Sequence, residues 1–417
     1  MRITKFSVRN YRSCKTTTLE PNNDLTALIG VNGSGKSNLL NALLLLKRTR
    51  IRPRHHIEEE ERYVNRSYIQ ADIDLDGNAI SLKGEVYYYT TERNTDDVVG
   101  TNLKWNLESI TGKKAWINLP IEMIMYGVDL PFVVSRAGRR LSYNEMSRNN
   151  WLMHRKMNTL LPEKVFPVVE QIASSIADIN YYSASQFSDP TRCPVSFKLE
   201  NECRPPARRG DLIDHTQFMF DLYKSWKTNK EIFQRYLSIV GKGGIGLVDV
   251  INFNEIQLPS SIVEVRAGGK TTQKQKTQLI VVPIFKIDNQ NLSPNQLSEG
   301  TFKTLALLFY VLTDQSQILL VEEPEVCIHH GLLNSIITLI KEESKSKQII
   351  ISTHSDYVLD QLTPDNIVLV ERKNDKGTKA KKITKAMSKN DFRALKDYLD
   401  NTGNLGEYWR EGGLDDE

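Results

Sequence analysis

The chain has 417 residues, 40% of them apolar and 25% charged, a make-up that suits about two or three globular units and excludes a long disordered or fibrous protein. Its 55 basic and 51 acidic residues leave a net charge of +4, which allows a nucleic-acid partner without demanding one. Cys14, Cys193, Cys203 and Cys327 lack C-x-x-C spacing, Met1-Arg-Ile-Thr-Lys lacks an apolar signal segment, and no run approaches the roughly 20 apolar residues that span a bilayer. The expectation is a reduced cytoplasmic protein with no membrane partner and no zinc or redox motif.

In chain order, Ile3 to Val8, Lys15 to Glu20 and Leu25 to Ile29 read as strands, and Asn38 to Lys47 reads as a buried, leucine-dense helix. Lys47, Arg48, Arg50, Arg52 and Arg54 form a basic run that Glu58 to Glu61 answer. From Tyr63 to Trp116 the pattern is antiparallel sheet, with Asp76-Gly77-Asn78 as the turn between strands at Ser67 to Leu75 and Lys83 to Thr90. Met146 to Ile179 carries helical spacing, and Ile179 to Tyr182 reads as a strand.

Residues 184 to 278 read as a mostly helical insertion. Asp211 to Val240 is its helical part, and Gly241-Lys-Gly-Gly244 and Gly268-Gly269 are breaks. Arg136, Arg139 and Arg140, then Arg204, Arg208 and Arg209, then Lys379, Lys381 and Lys382 form further basic clusters. After Leu279 the order is strand (Leu279 to Ile287), helix (Thr301 to Leu312), strand (Ile318 to Val321), helix (Leu332 to Glu342) and strand (Gln348 to Ser352). Strands without polar alternation are those of a parallel sheet covered on both faces. No heptad pattern persists, so no long coiled coil is expected.

Four motifs carry chemistry. Gly30-Val-Asn-Gly-Ser-Gly-Lys36-Ser37 stands between a strand and a helix, the context of a phosphate cradle. There Asn32, Gly33, Ser34, Gly35 and Asn38 line the ligand, Lys36 brings charge to the β and γ phosphates, and Ser37 offers a hydroxyl to Mg²⁺. Ile318-Leu-Leu-Val-Glu322-Glu323-Pro324-Glu325 delivers carboxylates to the end of a buried strand, Glu322 for Mg²⁺ and Glu323 to polarise an attacking water. Ser298, Glu299 and Gly300 open an apolar helix 25 residues before Glu323. His354 ends a strand 31 residues beyond Glu323, where an imidazole could orient a γ phosphate.

Together these motifs resemble ABC-type ATPases. The segment Val8-Arg-Asn10-Tyr11-Arg12-Ser13-x-Lys15 is similar to the opening of the RecF/SMC branch. Glu322 to Glu325, Ser298 to Thr301 and Leu405-Gly406-Glu407-Tyr408-Trp409 are similar to OLD-like ATPases of bacterial anti-phage systems, of the Septu- or retron-associated type. The resemblance covers residues 1 to 47 and 279 to 371. It implies an α/β ABC-ATPase head with a mixed or parallel core sheet, an antiparallel β subdomain and a helical insertion. The expected division is an ATPase core at 1–47 and 279–417, an antiparallel β subdomain with helices at 48–183, and an insertion at 184–278 for partner or dimer contacts.

It further implies ATP and Mg²⁺ as ligands, with Arg12 reaching the nucleotide and Gln186 contacting the metal. Each ATP would lie between one copy's phosphate loop and the other copy's Ser298 to Gly300, in a homodimer or higher homo-oligomer. Two departures stand out: Glu322 replaces a common Asp, and His330 replaces a common Pro. Only 46 residues follow Glu371, too few for the TOPRIM nuclease that many OLD proteins carry, so cleavage would fall to a separately encoded effector such as an HNH or other nuclease. The alternatives are a RecF-like repair ATPase that binds DNA or a nucleoprotein directly, and a slowly hydrolysing ATP-bound scaffold.

Overall fold

The computed structural model describes residues 1–48, 65–90, 96–113, 116–118, 165–199, 215–265, 271–326, 328, 330–373 and 375–414. The acidic run at 58–61, the Arg136 and Arg204 clusters, Cys203, Cys327, the Gly268-Gly269 break and the helical spacing at 146–164 lie outside the described residues.

The strands in chain order begin with β1 (Arg2–Tyr11), β2 (Cys14–Leu19), β3 (Leu25–Ile29), β4 (Asn65–Leu75), β5 (Asn78–Thr90), β6 (Asp96–Asn106) and β7 (Trp116–Asn118). They continue with β8 (Asn180–Ser183), β9 (Phe197–Leu199), β10 (Val250–Val265), β11 (Thr271–Ile287) and β12 (Gln290–Leu292). The last are β13 (Ile318–Glu322), β14 (Gln348–Thr353), β15 (Ile367–Lys373) and β16 (Gly377–Lys382).

The chain divides into two compact units. The first, Met1–Tyr181, Gln315–Glu322 and Ser344–Glu417, holds two sheets. One is antiparallel, in the order β2-β1-β4-β5-β6-β7. Its β4–β5 turn has Asp76 and Gly77 both at positive φ (51° and 85°), the primed geometry that fits the twist of a two-residue hairpin. Period-two alternation sends Phe6, Val8, Ile69, Ala71, Leu82, Val86, Leu103 and Trp105 to one face, where they bury against Leu39 and Leu43 of the helix Lys36–Arg48 and Val169 and Ile172 of the helix Phe166–Ala177. Each of the larger aliphatic and phenyl side chains among them contributes about 1.5–3 kcal/mol by leaving water. The other face is polar.

The second sheet is mixed, in the order β16-β15-β3-β14-β13-β8. β15, β3, β14 and β13 are mutually parallel, and β16 runs antiparallel to β15. β3, β14 and all but the last residue of β13 are buried on both faces, as their unbroken apolar runs require. β15 and β16 are not among the strands expected from the sequence.

The second unit, Tyr182–Asp314 and Glu323–Glu343, is built on the helices His215–Thr228, Lys230–Val240, Glu299–Thr313 and His330–Ser344. Phe187, Phe218, Phe302 and Tyr310 meet at centroid distances of 5.5–6.5 Å, in tilted, stacked and edge-to-face pairs. The buried Tyr236 hydroxyl donates to Leu305 O (3.0 Å). The helices at 215–240 agree with the sequence reading. The 16-residue strand β10, paired along its length with β11, corrects it. Ile251 and Phe253 are buried while Ile256 and Leu258 are 46% and 42% exposed, so the apolar phase slips within the strand and hides the alternation. Among the described residues no helix is long and apolar enough to cross a membrane.

Candidate functional site

The site grows from three adjacent strand ends. Register pairs Ile29 of β3 with Thr353 of β14, and Ser352 of β14 with Glu322 of β13. Strand spacing of about 4.8 Å then sets Gly30, Glu322 and His354 side by side at the C-terminal edge of the sheet, the edge where open α/β sheets receive ligands.

The loop after β3 closes through backbone. Ser34 N–H donates to Val31 O (3.1 Å), and the helix begins at Lys36. Two glycines are fixed by close approach. A Cβ on Gly30 would collide with Val370 O, and one on Gly35 (φ 104°) with the Thr378 hydroxyl. The Lys36 amine folds back to donate to Gly30 O (2.6 Å) and Val31 O (3.3 Å), so its charge sits inside the loop. The buried Ser34 Oγ has no hydrogen-bond partner among the described residues. Glycine backbone, an inward cation, an orphaned hydroxyl and a helix N-terminus make a cradle that fits a nucleotide's phosphates.

A directed hydrogen-bond chain braces this loop from behind. Asn38 Nδ2 donates to Ser13 Oγ (2.7 Å), Ser13 Oγ lies 2.8 Å from Thr378 Oγ1, and the Thr378 hydroxyl donates to Ser34 O (3.1 Å). Because Thr378 gives its proton to Ser34 O, Ser13 is the donor of the middle bond. Neither Ser13 nor Thr378 is among the candidate residues from sequence; 365 residues separate them, and only the fold pairs them. Arg12 precedes Ser13 in the β1–β2 turn at φ 48°, its guanidinium 5.4 Å from the Tyr11 ring.

Glu322 is half-buried at the end of β13, and the Tyr181 hydroxyl donates to its Oε2. Tyr181 is a third residue the sequence reading lacks. Its signal was present: it stands in the β8 run, five residues before Gln186. Glu323 follows with φ 46°, a left-handed conformation that costs a non-glycine residue on the order of 1–2 kcal/mol. The turn aims its side chain differently from a strand continuation. His354 is exposed just past β14.

The first unit thus brings together Arg12, Asn32 to Asn38, Glu322 and His354. Gln186, Ser298, Glu299, Gly300 and Glu323 belong to the second. Gln186 sits in the turn after β8, its Oε1 buried with no hydrogen-bond partner among the described residues. Ser298 caps the helix Glu299–Thr313, accepting from Thr301 N–H (3.2 Å), and is exposed with Glu299. Lys303 holds Glu299 at 2.8 Å and draws its carboxyl below the usual range. Among the described residues no three His, Cys, Asp or Glu cluster as a metal cage. Within the first unit, the oxygens that fit Mg²⁺ are the exposed Ser37 hydroxyl and Glu322, hard donors that leave positions for phosphate oxygens and water.

Residues 131–360, more than half of the chain, match the family described as AAA domain, putative AbiEii toxin, Type IV TA system. Residues 1–122 match the family described as AAA ATPase domain. No curated protein sequence matches. Among solved structures, the chain is similar to an SMC head domain from Thermotoga maritima (12% identity, TM-score 0.43, covering 92% of this chain and 99% of that one). It is also similar to an SMC head bound to the C-winged helix domain of ScpA (15%, TM-score 0.47, 93% and 100%). A third is an Smc head with an extended coiled coil, bound to the C-terminal domain of ScpA derived from Pyrococcus furiosus (13%, TM-score 0.43, 96% and 100%).

Proposed function

The chain belongs to the family of AAA domains described as putative AbiEii toxin, Type IV TA system, and from that premise we propose that it is an ATP-hydrolysing switch that dimerises around ATP and gates a separately encoded effector, a nuclease, in anti-phage defence. The observation that carries the ATP part is the braced phosphate loop with the Lys36 amine folded inside it.

In this reading Lys36 moves from its two carbonyls to the β and γ phosphates, and the loop's backbone N–H groups hold the remaining oxygens. Ser37 and Glu322 would hold Mg²⁺, with Gln186 the further candidate that the resemblance supplies, and the ion would offset phosphate charge. Glu323 accepts a proton from the attacking water, and His354 orients the γ phosphate. Ser298 and Gly300 at an exposed helix N-terminus close over a second copy's nucleotide. Placing the site in a defence system rests on the OLD-like motifs and on the family's description as a toxin of a toxin–antitoxin system.

The test uses purified protein with Mg²⁺ and ATP. Glu323→Gln lowers turnover by about 10²–10⁴-fold, the usual worth of a positioned general base, and gives a dimer by light scattering. Lys36→Ala weakens ATP binding by at least about tenfold and abolishes protection in a phage-plating assay. Wild-type turnover in Glu323→Gln would remove it as the base. Turnover that rises strongly with double-stranded DNA ends, with no other protein present, would replace the effector reading with the repair reading.

A further inference from the structure

The β15–β16 hairpin and its following turn carry charge that ATP chemistry does not use. From Ile367 to Ala386 there are seven basic residues against Glu371 and Asp375, a net +5 that exceeds the +4 of the whole chain. Register pairs Leu369 with Lys381 and Glu371 with Lys379, so period two places Leu369, Glu371, Lys373, Lys379 and Lys381 on one face. They line a hollow of about 230 Å³ together with Lys376. Four ammonium groups share one carboxylate there, and Glu371 is already 3.6 Å from Lys373.

The charge continues past the hairpin. Lys379 Nζ donates to Thr16 O (2.7 Å), which joins β16 to β2. Thr16 also lines a second hollow of about 380 Å³ on the polar face of the antiparallel sheet, with Arg9, Tyr68, Lys83 and Lys104. Arg9 lies over the Tyr68 ring at 4.3 Å, and Lys83 over Trp116 at 3.8 Å. Gln70, Lys83 and Lys104 stand on one rung across β4, β5 and β6. Glu85, the acid in this hollow, is held by Arg66 and the Tyr87 hydroxyl. From β2 to β6 the face spans four strand spacings, on the order of 20 Å.

We propose that this face, from the lysines of β15–β16 across Thr16 to Lys83 and Lys104, binds the sugar-phosphate backbone of a nucleic acid. An isolated surface lysine is normally just solvated. Here cations recur along a track of two hollows whose linings hold two acids, Glu371 and Glu85, each already partnered, within a chain of mild overall charge. Regularly repeated negative charge fits such a track. The site lies within the first unit and stands whether or not an effector is gated.

The experiment is fluorescence anisotropy with labelled 30-nucleotide single-stranded DNA and a 30-base-pair duplex across a salt series. The triple variant Lys373→Ala, Lys376→Ala, Lys381→Ala leaves Lys379 in place because its amine holds β2. It binds at least tenfold more weakly than wild type near 0.1 M salt, and its slope of log affinity against log salt falls by about 2–3, one for each lost phosphate contact. Adding Lys104→Ala weakens binding further, while the triple Lys→Arg variant restores it. ATP affinity and the thermal midpoint stay at wild-type values in all of them. Absence of wild-type binding to both DNAs at 50 mM salt, unchanged affinity in the triple variant, or preference for vesicles rich in phosphatidylserine over DNA would each overturn the proposal.

Discussion

Thr378 is a small residue with two jobs. Its hydroxyl completes the chain from Asn38 through Ser13 to the Ser34 carbonyl, and its side chain fills the space that forces glycine at position 35. A net hydrogen bond of this kind contributes about 0.5–1.5 kcal/mol. Thr378→Val, which keeps the shape and removes the hydroxyl, therefore weakens binding of a fluorescent ATP analogue by roughly 2- to 10-fold, whereas Thr378→Ser leaves it nearly unchanged. Equal affinity in all three would show that the loop holds its form without the brace. Glu323 is the residue-scale counterpart on the acid side. It accepts a left-handed backbone that the strand before it does not need, a strain that accords with its proposed role as the base.

At the scale of elements, the helix Leu405–Arg410 shows why a glycine stands in the leucine-glycine-x-x-tryptophan segment. Gly406 N–H donates to Asp360 Oδ1 (2.8 Å), and a Cβ there would lie 2.6 Å from the same carboxylate and closer still to Asp356 O. The segment clamps the short helix Asp356–Asp360, which begins two residues after His354. Gly406→Ala forces the two apart at a cost of about 1–3 kcal/mol, read as a lower thermal midpoint and faster amide exchange across 355–361. An unchanged exchange rate there would mean that the clamp is not rigid.

Elements with a local signature were legible in the sequence. β3, its glycine loop and the helix after it announce themselves within some 20 residues, as do β13 and β14. β10 was hidden by its phase slip, and β16, Gly-Thr-Lys-Ala-Lys-Lys, has almost no apolar residue to mark it. The Tyr181–Glu322 bond spans 141 residues, and the Ser13–Thr378 pair spans 365. Such partners carry no periodicity that would announce them to each other.

For the molecule as a whole, the strand order matters more than any one strand. β3 is flanked by β14 and β15, so the loop that follows it is walled by segments from the far end of the chain. Hydrogen exchange with Mg²⁺ and ATP should therefore slow together at 29–38, 349–355 and 377–382. Protection confined to 29–38 would mean that the sheet does not transmit loop ordering. Ligand at about 100 times its dissociation constant would add roughly 2.7 kcal/mol to the stability of the state that binds it.

The same strand order dictates what happens while the protein is being made. Leu25 pairs with Ile349, 324 residues later. At about 5–20 residues per second a ribosome needs on the order of 16 to 65 s to supply that neighbour. During that interval Leu25 to Ile29 have no finished parallel sheet to bury them. A newborn chain interrupted before β14 would carry the whole glycine loop yet lack the strands that wall it in the finished sheet.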